Sequence, residues 1–477
     1  MSSIAVWFLR KGKSRTGKPI AEAFLGDMAK YTKKPSLRGV YNEIYIPEGY
    51  KKIEIPEGHI LLGVRDYESM EPVTLRWNGK SFGLAVIMKR GAGKTQWVKT
   101  IALDQIHAIY GHYIIIVDPK NEYFNINKPQ DDPIGIDQLA KLGITPQGYD
   151  ARYAIPTFLS ETIETEGRMK KVYTITAADF NVLSYSTRLG LWMRFLGLAP
   201  GSPASHALMR VMHGEPRNTK HMLELIEADI AEQTRERGKR GVSMDFLYKF
   251  REAVASEVLG AKKEASFDFA LELANNKIIA LELALDTENQ NQPIMQTYAK
   301  IGMEAILQDR IAFIRPALRN KYRRGLLDKP IMFVVDEADI LASNDARRPT
   351  RSTLRAILTK YRQFGMSLVL ITQEPTMIDK ISVKQCNYIV TCKVDESMYG
   401  ILKARGIPQY MIDNDLMKLA WDDTAPTKQF CCLTPDTEEP LKIFYPIFPR
   451  SKIWKESESE GEAKDEVEEF DEKLHAY

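Results

Sequence analysis

Leu84-Ala85-Val86-Ile87-Met88-Lys89-Arg90-Gly91-Ala92-Gly93-Lys94-Thr95 is the stretch that decides the fold. Its apolar opening reads as a buried strand, and the glycine loop that follows leads into a helical pattern over 96–109. A second apolar run, 113–117, then ends in Asp118. Strand, loop, helix and strand in that order begin a parallel α/β sheet. The loop has the layout of a Walker A motif. Its glycines let backbone N–H groups close around phosphates, and the helix N-terminus adds positive dipole. Lys94 reaches the β and γ phosphates, and Thr95 ligates magnesium. The expected ATP-binding set is Arg90, Gly91, Ala92, Gly93, Lys94, Thr95 and Gln96. Met88 departs from the pattern, because the usual loop begins with glycine; its tight start must be built with a side chain present.

Further along, Phe333-Val334-Val335-Asp336-Glu337-Ala338 supplies a Walker B strand, an apolar run ending in adjoining acids. Asp336 is the expected magnesium ligand beside Thr95, and Glu337 the residue that polarises the attacking water. Taken alone, the same segment also reads as a strand with a polar cap. Leu368-Val369-Leu370-Ile371-Thr372-Gln373 is a third apolar strand with a polar end, where the Gln373 amide is placed to report on the γ-phosphate. The alternative there is an ordinary loop residue before Pro375.

Around these motifs the chain divides into segments. Residues 1–80 form a mixed leader, read as a small separate lobe with strand-like pieces at 4–9, 44–46, 59–64 and 73–76. An ATPase core is expected over 81–156 and 268–450, with strands at 277–283, 331–335, 367–371 and 388–392 and helices at 293–314 and 353–364. Between its halves, 157–267 turns helical and polar, and reads as a helical insertion. The tail from 451 to 477 is crowded with Glu and Asp and too poor in apolar residues to pack a core, so disorder is expected. The fold class is therefore α/β: a RecA-like P-loop core with a mostly parallel sheet, a helical insertion and a small N-terminal lobe.

Taken together, the three strand ends resemble the HerA/FtsK superfamily of RecA-like DNA pumps, with the closer likeness to HerA. Val117-Asp118-Pro119-Lys120-Asn121-Glu122-Tyr123, Arg362-Gln363-Phe364-Gly365 and Gln385-Cys386-Asn387 are similar to further segments of that family, and the likeness spans roughly 60–450. The resemblance implies an ATP- and Mg2+-dependent motor working as a homo-hexameric ring on double-stranded DNA, with ATP held between subunits. It also implies an arginine finger from the neighbouring subunit. Arg362 is the position carried over, with Arg355 in reserve, and a helix-surface arginine is the plain alternative for each. DNA contact is expected to be mainly to phosphate and insensitive to sequence. The same core would serve a viral packaging motor, a conjugative DNA-transfer ATPase or, in another class, a protein remodeller or pilus ATPase. A nuclease, a capsid or a secretion channel is the matching partner.

The bulk numbers agree with a large globular chain: 477 residues, 44% hydrophobic, 27% charged, net charge +3. The near-neutral sum hides an acidic tail and a basic leader with Arg10, Lys11, Lys13 and Arg15 at its start. A second basic cluster, Arg315, Arg319, Lys321, Arg323 and Arg324, reads equally as a DNA contact and as a solvated helix end. Cys386, Cys392, Cys431 and Cys432 show neither zinc spacing nor a disulfide framework, and the surroundings of Cys386 read as buried strand; a reducing, cytoplasmic setting is expected. No apolar run reaches the length of a membrane span.

Overall fold

The apolar runs become the inner strands of one sheet in the computed structural model of the chain. It describes residues 55–446 except 67–68, 70, 78, 129–147, 160–169, 238–243, 261–266, 284–291, 321–322, 343–348, 375, 394–395, 405–406, 421–427 and 436–439. The basic leader, the strands expected at 4–9 and 44–46, and the acidic tail lie outside the described residues.

In chain order, a hairpin of β1 (His59–Val64) and β2 (Pro72–Arg76) precedes β3 (Gly83–Ile87), the helix α1 (Lys94–Lys99) and β4 (Tyr113–Asp118). The α1 rod continues through Thr100–His107 in wider helical spacing, as in the bond from the Ala108 N–H to the Leu103 carbonyl. Then come β5 (Ala151–Pro156), β6 (Lys170–Tyr173), α2 (Tyr185–Phe195), α3 (Pro203–His213), α4 (Thr219–Arg237), α5 (Met244–Ala255) and α6 (Phe269–Asn276). The second half contributes β7 (Ile278–Glu282), α7 (Gln292–Ile314), β8 (Ile331–Val335), α8 (Ala338–Leu341), α9 (Pro349–Ala356), β9 (Met366–Thr372) and α10 (Lys380–Gln385). Last are β10 (Tyr388–Thr391), α11 (Glu396–Ala404), β11 (Phe430–Leu433) and β12 (Leu441–Phe444).

Across the sheet the order is β12-β11-β10-β3-β9-β8-β4-β7-β5-β6. Every pairing from β10 to β6 is parallel, while β11 and β12 add an antiparallel edge. Strands β3, β4, β8 and β9 are buried at every residue, which is why they read as unbroken apolar runs: helices cover both faces, leaving no polar side to alternate. The order places β9 between β3 and β8. Ile87 pairs with Thr372, Leu370 with Val335, and Val335 with Val117, so the loops after β3, β9, β8 and β4 emerge side by side.

Three findings bear on the expectations. Residues 55–80 belong to the same compact unit as the sheet, and the rest of the lobe expected over 1–80 lies outside the described residues. The Gln105 side chain bonds both the N–H and the carbonyl of Leu61 (2.7 and 2.9 Å), and the Trp97 indole donates to the Leu62 carbonyl (2.7 Å). Val64 exchanges both backbone bonds with Tyr445, so closely that a Cβ on Gly63 would stand 2.2 Å from the Tyr445 carbonyl; only glycine fits. Burying Trp97 between this hairpin and Phe430 and Phe444 removes roughly 200 Å² from water, about 5 kcal/mol of gross transfer free energy. Next, 157–267 is not purely helical, because β6 pairs with β5 at the sheet edge. Finally, Cys386 is buried but caps the end of α10; the strand starts two residues later. Among the described residues no helix is long and apolar enough to cross a membrane.

Candidate functional site

The loop from Met88 to Thr95 leaves the end of β3 and turns into α1 through two left-handed glycines, Gly91 (φ 74°) and Gly93 (φ 82°). Side chains rarely adopt this conformation, which accounts for glycine at both places. Met88 needs no such freedom. Its φ is not positive, its side chain is buried in the core, and its N–H donates to the Thr372 carbonyl at 3.2 Å, extending the β3–β9 ladder by one bond. Replacing the usual glycine therefore costs the loop nothing in backbone strain.

Lys94 is 7% exposed, and burial lowers its pKa against the opposing pull of Asp336 and Glu337. A buried ammonium at the mouth of a glycine loop calls for an anion, and the triphosphate of a nucleotide fits. Beside it, the Thr95 hydroxyl donates to Asp336 at 3.1 Å. Asp336, at the end of β8, also accepts its neighbour Glu337's N–H at 2.9 Å. Burial, then the charges of Asp118 and Glu122, push its pKa up to about 7. A carboxylate forced towards its neutral form is relieved by a cation, and a hydroxyl plus a carboxylate is a hard oxygen pair suited to Mg2+. Among the described residues no group of three or more His, Cys, Asp or Glu forms a metal cage, so phosphate oxygens and water would complete the shell.

Glu337 holds a left-handed backbone (φ 44°), a strained state for a residue with a side chain, costing roughly 1–3 kcal/mol. That twist turns its carboxylate towards both neighbouring strand ends. Lys120, from the turn after β4, donates to it at 2.6 Å, and Gln373, at the end of β9, donates at 2.7 Å. Thus Glu337, Gln373, Asp336, Thr95 and Lys94 meet at one end of the sheet, although 279 positions separate the first and last of them in the chain. Gln96 lies in the first turn of α1 beside them with its amide oxygen buried and lacking a hydrogen-bond partner, while Arg90 is exposed at the loop tip.

Two arginines fall elsewhere. Arg355 is bound to Asp379 within its own chain, at 2.6 and 2.5 Å. Arg362 stands half-buried before the start of β9, where its charge moderates the phenol of Tyr388, itself raised by burial. The seven residues of β9 put roughly 23 Å between Arg362 and the Gln373 end of the strand. In the basic cluster, Arg324 pairs with Asp268 and Arg315 lies over the Phe364 ring, so both are engaged within the chain; Lys321 lies outside the described residues.

Two lysines outside the expected set join the site: Lys120, and Lys428, which donates to the Gly91 carbonyl at 2.9 Å. Asp118 reads in the sequence only as a strand end. It accepts the N–H groups of Lys120 and Tyr123 at 3.1 and 2.8 Å and so shapes the turn that delivers Lys120; burial, only partly offset by these bonds, raises its pKa to about 6. The Asp-Pro-Lys spacing after a buried strand was the available signal for Lys120. Nothing local marks Lys428.

Fold and site together define a RecA-like P-loop NTPase. Comparison with known proteins agrees at the level of fold. VirB4 of Thermoanaerobacter pseudethanolicus superposes over 84% of this chain and 99% of its own with a TM-score of 0.51 at 13% identity. The two chains thus share a fold, a mostly parallel sheet with helices on both faces. A weaker likeness, TM-score 0.46 at 12% identity, covers 79% of this chain and 88% of the plasmid coupling protein TrwB, in complex with an ATP analogue. In sequence, a probable helicase of Methanocaldococcus jannaschii is 26% identical over 92 residues, 18% of this chain. The chain spans only 18% of that relative's length. No protein-family profile matches the chain.

Proposed function

We propose that the protein hydrolyses ATP to drive double-stranded DNA through a ring of its own copies, the sixfold ring that the sequence resemblance implies. The observation that carries the reading is the Glu337 carboxylate, strained out of its strand and held between Lys120 and Gln373 next to the Thr95–Asp336 pair. A nucleotide-binding switch has no use for such a carboxylate; a hydrolase needs one to take up the proton of the attacking water.

In this mechanism the loop N–H groups and Lys94 hold the phosphates, while Lys428 braces the loop at Gly91. Thr95 and Asp336 would hold magnesium, which supplies charge neutralisation on the phosphates. Glu337 orients and deprotonates water, and Lys120 tempers its charge. Gln373 gives the γ-phosphate end of the site a direct bond to Glu337, at the tip of a strand buried at every residue. Arg362 lies at the far end of that strand, too distant to serve its own site, and so acts on the neighbouring subunit's phosphates. Loss of the γ-phosphate at one end of β9 is thereby linked to the intersubunit contact at the other. DNA is held through its phosphates, so affinity falls steeply with salt.

The test is ATP hydrolysis with and without long linear duplex DNA, with Lys94→Ala as control. Strong stimulation that disappears in the control supports the motor. Turnover indifferent to DNA shifts the reading to a protein-substrate ATPase of the remodelling or secretion kind, and absence of turnover refutes both. The packaging, conjugative and nuclease-linked versions share this core and are separated by partner capture.

A further inference from the structure

A second concavity is lined by none of the residues at the strand ends. A groove of about 590 Å³ opens between α2 and α9, and its walls carry Arg194 from α2, Lys300 from α7, and Arg351, Arg355 and Lys360 from α9 and its continuation. Among the described residues no Asp or Glu lines it. Immediately behind the walls, Asp379 accepts from Arg351 and Arg355, and Glu304 faces Lys300 at 3.6 Å. Five cationic side chains thus share the walls of one groove, and the two acids stand behind those walls.

Backbone adds to the side chains. Ser186 and Thr187 belong to the first turn of α2, and Pro349, Arg351 and Ser352 to the first turn of α9. Two helix N-termini thus meet at the same hollow, each presenting the positive end of its dipole. No side chain caps the start of α2; the Ser184 hydroxyl is spent on Thr187 at 2.9 Å. Lys300 is fixed in place by a 2.6 Å bond to the Thr353 hydroxyl. The wall is therefore positioned in advance, and the volume suits a small polyanion or a length of backbone.

We propose that this groove is a second anion site, separate from the nucleotide loop, that takes a phosphoryl group. The phosphate is either free in solution or a diester of the DNA backbone; the latter source rests on the motor reading, the former does not. The experiment uses the full chain carrying Lys94→Ala, so that the nucleotide loop no longer competes. Inorganic phosphate is titrated while thermal unfolding is followed, and in parallel a fluorescent 30-base-pair duplex is titrated across salt concentrations. Both are repeated with Arg194→Ala and Lys360→Ala together, with exposed Lys360→Ala alone as a variant whose folding is not at risk, and with Arg194→Lys plus Lys360→Arg as rescue.

A saturable phosphate stabilisation that weakens at least fivefold in the double variant, less in Lys360→Ala, and returns in the rescue supports the free anion. Indifference to phosphate, with duplex affinity falling about five- to tenfold and the salt slope shrinking by about one, supports the backbone diester. If neither phosphate nor duplex binding distinguishes the variants from the Lys94→Ala parent, the proposal is overturned. A chain that binds no DNA at all defeats the motor reading alone, since the phosphate arm still decides the groove.

Discussion

Asp336 and Asp379 are almost equally buried, at 2% and 1% exposure, and titrate in opposite directions. Asp336 ends β8 among other acids, with a hydroxyl and one backbone N–H as its bonded donors, and its pKa rises to about 7. Burial would raise Asp379 too, but Arg355 and Ser382 bond its carboxylate and hold it at about 2. The two regions put buried charge to different uses. Around Asp379 the carboxylate is answered within the chain by Arg351 and Arg355, so α9 is locked onto the start of α10. Around Asp336 the charge is left for something that arrives from solution. Unbalanced buried charge marks the functional end of the sheet.

That contrast breaks most visibly by substitution. Asp336→Asn should cut ATP hydrolysis about 10³-fold while leaving the melting temperature unchanged or higher, because a carboxylate the fold disfavours has been removed. Loss of stability there would contradict the division. Asp379→Asn should do the reverse, costing about 3 kcal/mol in denaturant unfolding by stranding Arg351 and Arg355, with turnover per folded molecule preserved.

The pH profile sharpens the same comparison without mutation. Asp379 has a depressed pKa, so its stabilisation is complete above about pH 4 and is lost as pH falls towards 2. Asp336 has a raised pKa. The unfolded chain loses this proton first, so stability declines as pH climbs from about 4 to 7. Stability curves of the two Asn variants, each compared with the parent, should show these windows with opposite slopes. The smallest effect is expected at Gln373: Gln373→Ala removes one bond to a charged carboxylate, about 1.5 kcal/mol, and should lower hydrolysis roughly tenfold with ATP affinity little changed. A drop in affinity instead would place the amide among the binding groups.

Much of this was legible beforehand. The β8 and β9 strands fell within a residue of the reading, because fully buried parallel strands leave continuous apolar runs. The edges were harder. Strands β6, β11 and β12 are four residues each, too short to show a period, and β6 sits in a polar stretch that reads as helix. The hairpin gave itself away as two strands, yet its docking on α1 depends on Gln105 and Trp97, ordinary helix residues until Leu61 and Leu62 are brought beside them.

What the sequence determined by itself is the chemistry available: a glycine loop with Lys94 and Thr95, adjoining acids at 336 and 337, an amide at 373, each marked by local pattern at a strand end. Tertiary structure decided how those groups are used. Insertion of β9 between β3 and β8 joined Gln373 to Glu337, the Asp118 turn brought Lys120 to the same carboxylate, and Asp379 claimed Arg355 for the framework. The physical reason is that motifs follow from backbone geometry over a few residues, whereas the partner of a buried charge is set by strand order, which no local stretch encodes.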